Sequence, residues 1–278
     1  MHEHSSQIDN FLNEFCPQLE RLVFLTGAGI SAESGIPTFR GEEGYWTIGS
    51  KVYQPQEMAT WNNFSRMPLE VWRWYLHRRA ICHKAEPNPA HHALADLEQC
   101  FGDGFTLVTQ NVDGLHLRAG NTFARTYQIH GNIDYMRPYQ GDSSSLVLVP
   151  VTTSEEAVQQ LSDDALAEQL QFDEQPQRPH VLWFDECYDE DLYRFQSSLE
   201  VTSSADLLVI VGTSGATNLP NQMVTMAARA GIPFIDINPA ENVFGQRAQR
   251  LPHGLSLQGS AGDVLPILAK ALSQHKTD

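Results

Sequence analysis

The chain has 278 residues, 41% of them hydrophobic, with 34 acidic against 18 basic side chains and a formal net charge of −16. That length suits one large domain, or one with an inserted lobe, and excludes both a mini-protein and a repeat array. The acidic balance and the lack of a basic stripe argue against a nucleic-acid partner, because phosphate binding needs Lys/Arg counter-charge, whereas a cationic substrate would be steered in.

The N-terminal MHEHSSQIDNFLNEF lacks a basic flank followed by an apolar run, and no stretch has the length of a membrane span. No membrane partner and a cytoplasmic location are therefore expected. Cys16, Cys82, Cys100 and Cys187 lie far apart with no C-x-x-C pair, so neither a disulfide framework nor a cysteine zinc site is signalled.

In chain order, RLVFLTG (21–27) is a short apolar run ending in glycine and followed by AGISAESG, the pattern of a buried strand turning into a helix. LEVWRWYLHRRAICHKA (69–85) reads as a helix, and PNPAHHALADLEQC opens another with Asn88 as N-cap and Pro89 at the first helical position. TLVTQN (106–111), DLLVIVGTSG (206–215) and PFIDINP (233–239) are further strand-like runs, the last two separated by the helix-like NQMVTMAARAG. Strands alternating with helices predict an α/β fold, a Rossmann-like doubly wound parallel sheet.

Residues 132–178 break that alternation. SSSLVLVPVTTS looks strand-like, and EEAVQQLSDDALAEQLQFDEQPQ is an acidic helical stretch with Val158, Leu161, Ala165 and Leu170 at helical spacing and a solvated acidic face. The expected division is a large lobe from 1–41, 86–131 and 179–278, a helical insertion at 42–85, and a small lobe at 132–178.

Open α/β sheets bind ligands outside the carboxyl ends of their strands, and the chemistry-bearing motifs follow predicted strands. In GAGISAESGIPTFRG (27–41), Gly27 and Gly29 let backbone N–H groups approach a pyrophosphate at a helix N-terminus, although a tight strand-to-helix turn alone also needs glycine. Beyond Pro37, Phe39 and Arg40 add an aromatic face and a guanidinium. The complete string, followed in order by TQNVDGLH (109–116), IHGN (129–132), VLWFDE (181–186), GTS (212–214), INPAEN (237–242) and GSAGDVLP (259–266), closely resembles the signature of the sirtuin family, NAD-consuming protein lysine deacylases. The resemblance spans residues 21–268.

This resemblance implies that TQNVDGLH and IHGN are the catalytic pieces. Asn111 then orients a ribose hydroxyl or water, Gln110 holds another hydroxyl, and Asp113 accepts from a carboxamide. His130 is the candidate general base, since an unperturbed imidazole titrates near working pH; taken alone, a histidine at a strand end is more often structural. By the same resemblance, Ala28, Ser31, Arg40, Gly212, Thr213 and Ser214 line the phosphate and ribose path. Ile36 lines the nicotinamide pocket, Phe39 shields the reactive sugar, Asn238 meets the adenosine ribose and Ala261 the adenine; the polar ones serve equally well as helix caps.

The implied reaction has the acyl oxygen of a modified lysine attack the anomeric carbon of the nicotinamide ribose, expelling nicotinamide. His130 then deprotonates a ribose hydroxyl, and the products are free lysine and O-acyl-ADP-ribose. NAD is a co-substrate here, and acylated lysine proteins or peptides are the partners. Val181, Trp183, Phe184, Asp185 and Glu186 form a strand expected to pair with an extended substrate backbone. Many sirtuins have glycine where this chain has Asp185, whose carboxylate either reshapes the substrate groove or points outward without effect.

Tyr75 and Arg78 share a helix face and resemble the Tyr-x-x-Arg pattern of the desuccinylase branch, where Arg forks an acyl carboxylate and Tyr donates a hydroxyl. Succinyl, malonyl or glutaryl lysine is thereby favoured over acetyl. Most sirtuins hold a structural zinc with two cysteine pairs, but this chain has no cysteine between Cys100 and Cys187, so a zinc-free small lobe is expected. Besides a deacylase, two further classes stay open: an NAD glycohydrolase or ADP-ribosyltransferase, and a non-catalytic NAD or ADP-ribose sensor.

Overall fold

The computed structural model describes residues 2–37, 46–48, 51–150, 154–172 and 175–277. Its centre is a parallel sheet of six strands: β1 (Leu22–Thr26), β2 (Phe105–Thr109), β3 (Thr126–Gln128), β4 (Leu207–Val211), β5 (Phe234–Asn238) and β6 (Gly254–Gln258). They lie in the order β6-β5-β4-β1-β2-β3, so the winding direction reverses between β1 and β4. Every residue of β1 and β4 is buried, which is why LVFLT and LLVIV read as continuous apolar runs and not as alternating ones. The four expected strands are present within a few residues of their predicted bounds; β3 and β6 lie at the sheet edges, and their short or half-exposed sequences TYQ and GLSLQ carry no comparable apolar signal.

Helices cover both faces. On one side His2–Phe15, Pro89–Phe101 and Ala261–Thr277 bury Leu12, Leu94, Leu97, Leu265 and Leu268 against Phe24, Leu107 and Val209. On the other, Asn218–Ala230 and Val243–Ala248 bury Met223, Val224 and Phe244 against Leu25, Leu208 and Ile210. The Pro89–Phe101 helix starts where the sequence predicts: Asn88 Oδ1 accepts from Ala90 N at 3.0 Å. Asn88 Nδ2 also donates to Ile30 O at 2.8 Å, which fixes the helix to the turn after β1.

The second layer of structure is an antiparallel sheet of Val147–Leu148, Gly131–Pro138, Gln175–Val181 and Gln171–Phe172. In place of one acidic helix there are two, Glu155–Gln160 and Asp163–Gln169, because Ser162 Oγ accepts from Ala165 N at 3.2 Å and starts the second. Leu166, not Ala165, enters the core beside Val158 and Leu170. These side chains pack on Val71, Trp72, Trp74 and Tyr75 of the Pro68–Lys84 helix, so the helical insertion and the small sheet share one hydrophobic core. The acidic stretch is not wholly solvated: Arg73 donates to Val158 O at 3.2 Å, Leu161 O at 2.8 Å and Asp163 Oδ1 at 2.7 Å, satisfying carbonyls at the end of the first short helix. Of the expected SSSLVLVPVTTS strand only Val147–Leu148 is extended in a ladder, Ser143–Ser145 forms a helical turn, and residues 151–153 lie outside the described residues. No helix among the described residues is long and apolar enough to cross a membrane.

The turns after β1 and β4 touch backbone to backbone. A Cβ on Gly29 would stand 2.7 Å from Gly212 Cα, and one on Gly27 would stand 2.7 Å from Thr213 Cβ. Gly29→Ala must therefore push apart the two central strands, and we expect a loss of about 1–3 kcal/mol in urea unfolding. An unchanged midpoint would show that the turns separate freely.

Candidate functional site

The site grows from those turns, at the carboxyl ends of β1, β4 and β2, where the sheet changes winding direction. Gly27 N donates to Val211 O at 3.0 Å and Gly29 N to Gly212 O at 2.8 Å. Both amides are committed inside the protein, and the close approach of the turns by itself requires glycine at 27 and 29. Ala28 and Ser214 are partly exposed in the same turns, and Thr213 is buried. Phe39 and Arg40 lie outside the described residues.

Around this contact the polar side chains form one network. Ser31 Oγ donates to Asp113 Oδ2 at 2.7 Å and accepts from Asn111 Nδ2 at 3.0 Å. Its single proton is thus used, so His91 Nε2, 3.4 Å away, must be the donor, and His91 Nδ1 accepts from Asn88 N at 3.3 Å in agreement. By the same reasoning His116 Nε2 donates to Thr26 Oγ1 at 3.0 Å, because Thr26 gives its proton to Thr109 Oγ1 at 2.8 Å. Burial pushes the Asp113 carboxyl up, opposed by the Leu115 amide and the Ser31 hydroxyl, and burial lowers His91 to about 4. His91 and His116 sit ring to ring at 4.9 Å; neither is singled out by the sequence, although His91 lies in the helical PNPAHHALADLEQC and His116 closes TQNVDGLH.

Gln110 spans the two halves of the sheet. Its Nε2 donates to Thr213 Oγ1 at 2.8 Å and its Oε1 accepts from Thr217 Oγ1 at 2.8 Å. On the far side, Asn238 Nδ2 donates to Thr213 O at 3.1 Å, and Ala261 is buried at the start of the last helix. Glu33 accepts from Gly262 N at 2.7 Å and from Ser260 Oγ at 2.9 Å, a carboxylate on a helix N-terminus. Ile36 stands with Cys82, Ala85 and Leu115 in a small apolar cluster. The amide and hydroxyl groups brought together here have the chemistry to bind the hydroxyls and phosphates of a dinucleotide, and the residues fit NAD in that sense.

His130 is half-buried at the end of β3. Its Nδ1 lies 3.0 Å from Gln110 O and its Nε2 lies 2.7 Å from the Tyr188 hydroxyl. Burial lowers its pKa to about 4, with the Gln110 carbonyl acting in the opposite sense, so the ring is neutral at pH 7. Tyr188 has no motif to mark it in the sequence.

The predicted substrate strand is corrected in three respects. The strand stops at Val181, and Trp183–Glu186 is a turn closed by Glu186 N to Trp183 O at 3.0 Å. Its amides are occupied: Leu182 N by His130 O, Phe184 N by Ala59 O and Trp183 N by Glu186 Oε2, each at 3.0 Å, so strand pairing through these donors is not open to a peptide in this conformation. Asp185 is exposed but does not point idly outward. Its carboxylate receives Trp61 N at 2.8 Å and Asn62 N at 3.1 Å and anchors the short Trp61–Phe64 helix.

Trp183 is buried and donates from Nε1 to the Tyr75 hydroxyl at 2.9 Å, while Phe184 is exposed. Tyr75 is itself buried, and desolvation raises its hydroxyl pKa, so it stays protonated. Half-buried Arg78 lies 5.2 Å from the Trp74 ring, and burial lowers its pKa. Glu186 pairs with Arg178, a residue the sequence did not single out: its Nη2 donates to Glu186 Oε2 at 2.8 Å and Val181 O at 3.0 Å, and its guanidinium lies 3.6 Å from the Trp183 ring. A cavity of about 750 Å³ beside this ion pair, lined by Trp61, Tyr139, Asp142 and Ser145 among others, involves none of the nucleotide-path residues.

The tetrahedral thiolate zinc site that the resemblance brings with it does not fit. No cysteine lies between 100 and 187, and among the described residues no group of three or more His, Cys, Asp or Glu could hold a metal ion.

Two expectations follow from this geometry. His91, His130 and His180 have pKa values lowered by burial to about 4, 4 and 3, against 6.5 unfolded. The unfolded chain thus binds more protons as pH drops below about 6.5, and folding stability should fall from there toward pH 4, measured by urea unfolding across that range. Arg178→Met strips the charge from the buried pair and should cost about 2–4 kcal/mol, seen in unfolding followed by tryptophan fluorescence.

Comparison with known proteins agrees with this architecture. Residues 27–218 match the model of the Sir2 family. An NAD-dependent protein deacylase from Leptospira interrogans is 37% identical over 264 residues, covering 94% of this chain and 97% of that protein. The mitochondrial NAD-dependent protein deacylase sirtuin-5 of Danio rerio is 31% identical, covering 99% of this chain and 89% of that one. The crystal structure of a Sir2 homolog–NAD complex superposes with a TM-score of 0.77 at 31% identity, covering 95% of this chain and 94% of that one. With the switch-point crevice, the ordered motifs and matches over nearly its whole length, this chain belongs to the Sir2 family, the sirtuins.

Proposed function

We propose that the chain is an NAD-dependent protein lysine deacylase whose preferred acyl groups are acidic: succinyl, malonyl or glutaryl. The observation that carries the deacylase reading is the meeting, at one end of the sheet, of a neutral His130 with the Asn111–Ser31–Asp113 cluster. When bound, NAD supplies the ADP-ribosyl group that accepts the acyl chain. Asn111, Ser31 and Asp113 hold the nicotinamide-ribose side and Ile36 lines its pocket; Phe39 and Arg40, outside the described residues, keep the roles that the resemblance implies for them. Gln110, Thr213, Ser214 and Asn238 line the path toward Ala261, beside Ala28 and the glycine contact of Gly27, Gly29 and Gly212. His130 takes a proton at Nε2, because a carbonyl only accepts and Gln110 O therefore holds the Nδ1 proton.

The acyl preference is supported by chemistry at Tyr75 and Arg78. Tyr75 receives the Trp183 proton at its oxygen and keeps its own proton to donate to an acyl carboxylate. Arg78 supplies the charge, and a half-buried guanidinium pairs more strongly with a carboxylate than one in bulk water. The small lobe is metal-free in this reading, held by the shared core and by Arg178, and the division at 41/42, 85/86, 131/132 and 178/179 stands as its domain plan. Four free thiols, one of them the exposed Cys187, fit a reducing compartment such as the cytoplasm.

Incubation with NAD and matched acetyl- and succinyl-lysine peptides, following peptide mass and nicotinamide together, tests the reading. Succinyl loss matched one-to-one by nicotinamide is expected; nicotinamide release with unchanged peptide would replace the deacylase by a glycohydrolase or transferase. His130→Ala should lower deacylation by roughly 10²- to 10⁴-fold while NAD affinity, measured by calorimetry, changes little. Arg78→Met should raise KM for succinyl peptide by roughly 10- to 100-fold and leave acetyl peptide unaffected, because only the former loses a charge-assisted hydrogen bond.

A further inference from the structure

His130 has two ring nitrogens, and both are engaged. Gln110 O can only accept, so Nδ1 carries the ring proton and Nε2 presents a bare lone pair. The group standing at that lone pair, 2.7 Å away, is the Tyr188 hydroxyl, which must be the donor. The Tyr188 ring lies between two others, stacked on His130 at 5.8 Å and 29° and on Phe195 at 6.0 Å and 26°. A nitrogen with one lone pair cannot receive a proton from a substrate hydroxyl while a phenol is donating to it.

Two arrangements would reconcile Tyr188 with a basic His130. The phenol could relay, taking a proton from the ribose hydroxyl as it passes its own to Nε2, or it could leave. The surroundings favour leaving. Tyr188 is half-exposed and lies between the Trp183–Glu186 turn and the Glu190–Tyr193 helix, in a stretch without regular structure. Rotation of one side chain there uncovers Nε2 without moving the sheet.

We infer that Tyr188 is a positioning residue that acts as a placeholder: it holds His130 Nε2 until a ribose hydroxyl of NAD takes that position, and it then swings away. The inference rests on the deacylase reading and extends it by making NAD binding a competition with an internal hydroxyl. Tyr188 keeps Nε2 free of protons and its ring aligned, at the expense of some nucleotide affinity.

Tyr188→Phe keeps the stacked ring and removes only the competitor. NAD affinity of this variant, measured by calorimetry without peptide, should rise roughly 2- to 10-fold, the equivalent of one hydrogen bond no longer broken on binding. In protein labelled with 3-fluorotyrosine, the ¹⁹F resonance absent from the Tyr188→Phe spectrum identifies Tyr188, and that resonance should shift when NAD saturates the wild-type chain. An unchanged affinity, or a resonance that stays in place at saturating NAD, overturns the placeholder. A collapse of deacylation in Tyr188→Phe with NAD affinity unaltered would establish the relay instead. If the wild-type chain binds no NAD, the deacylase reading falls and the placeholder with it; if it binds NAD and Tyr188 does not move, only the placeholder falls.

Discussion

Gly29 N donates to Gly212 O at 2.8 Å, and through this contact the turn after β1 rests directly on the turn after β4. The two strands are neighbours in the sheet although 180 residues of chain separate Thr26 from Leu207. Everything polar in the crevice is placed relative to that contact: Thr213 follows it on one side, Ser31 on the other, and Gln110 reaches across from β2. Side chains at the glycine positions would hold the turns apart and move each donor by more than a hydrogen bond tolerates.

The substrate side is organised differently, by side chains instead of backbone contacts. Arg178 fixes Glu186 and lies over Trp183, Trp183 holds Tyr75, and Asp185 seats the Trp61–Phe64 helix beside them. Tyr75 and the Trp183–Glu186 turn are therefore one connected unit. A change at Trp183 reaches the Tyr75 hydroxyl, so under the proposed function acyl preference and peptide docking would not vary independently.

Legibility from the sequence followed the physics of each part. β1 and β4 were legible because burial on both faces demands unbroken apolar runs, and the Pro89–Phe101 helix because Asn88 and Pro89 are local signals. The motif residues around the crevice were legible through resemblance, but the reason for Gly27 and Gly29 was not, since it depends on Gly212, far along the chain. Tyr188, Arg178 and Asp185 were opaque for a similar reason. A lone tyrosine, arginine or aspartate acquires meaning from what the fold sets opposite it, here His130, Trp183 and the amides of Trp61 and Asn62. The edge strands β3 and β6 were missed because half-exposed short strands need little apolar content.

The bond from Glu33 to Gly262 joins positions 229 residues apart. It closes the crevice on the side of Ala261, and its donor is the first turn of the helix that ends the described chain. During synthesis the turn that carries Glu33 emerges directly after β1, but the amide that it needs emerges only after all six strands of the parallel sheet have been made. The nucleotide crevice is therefore completed only after the whole parallel sheet has emerged, and until then the nascent chain has no finished pocket in which to hold NAD.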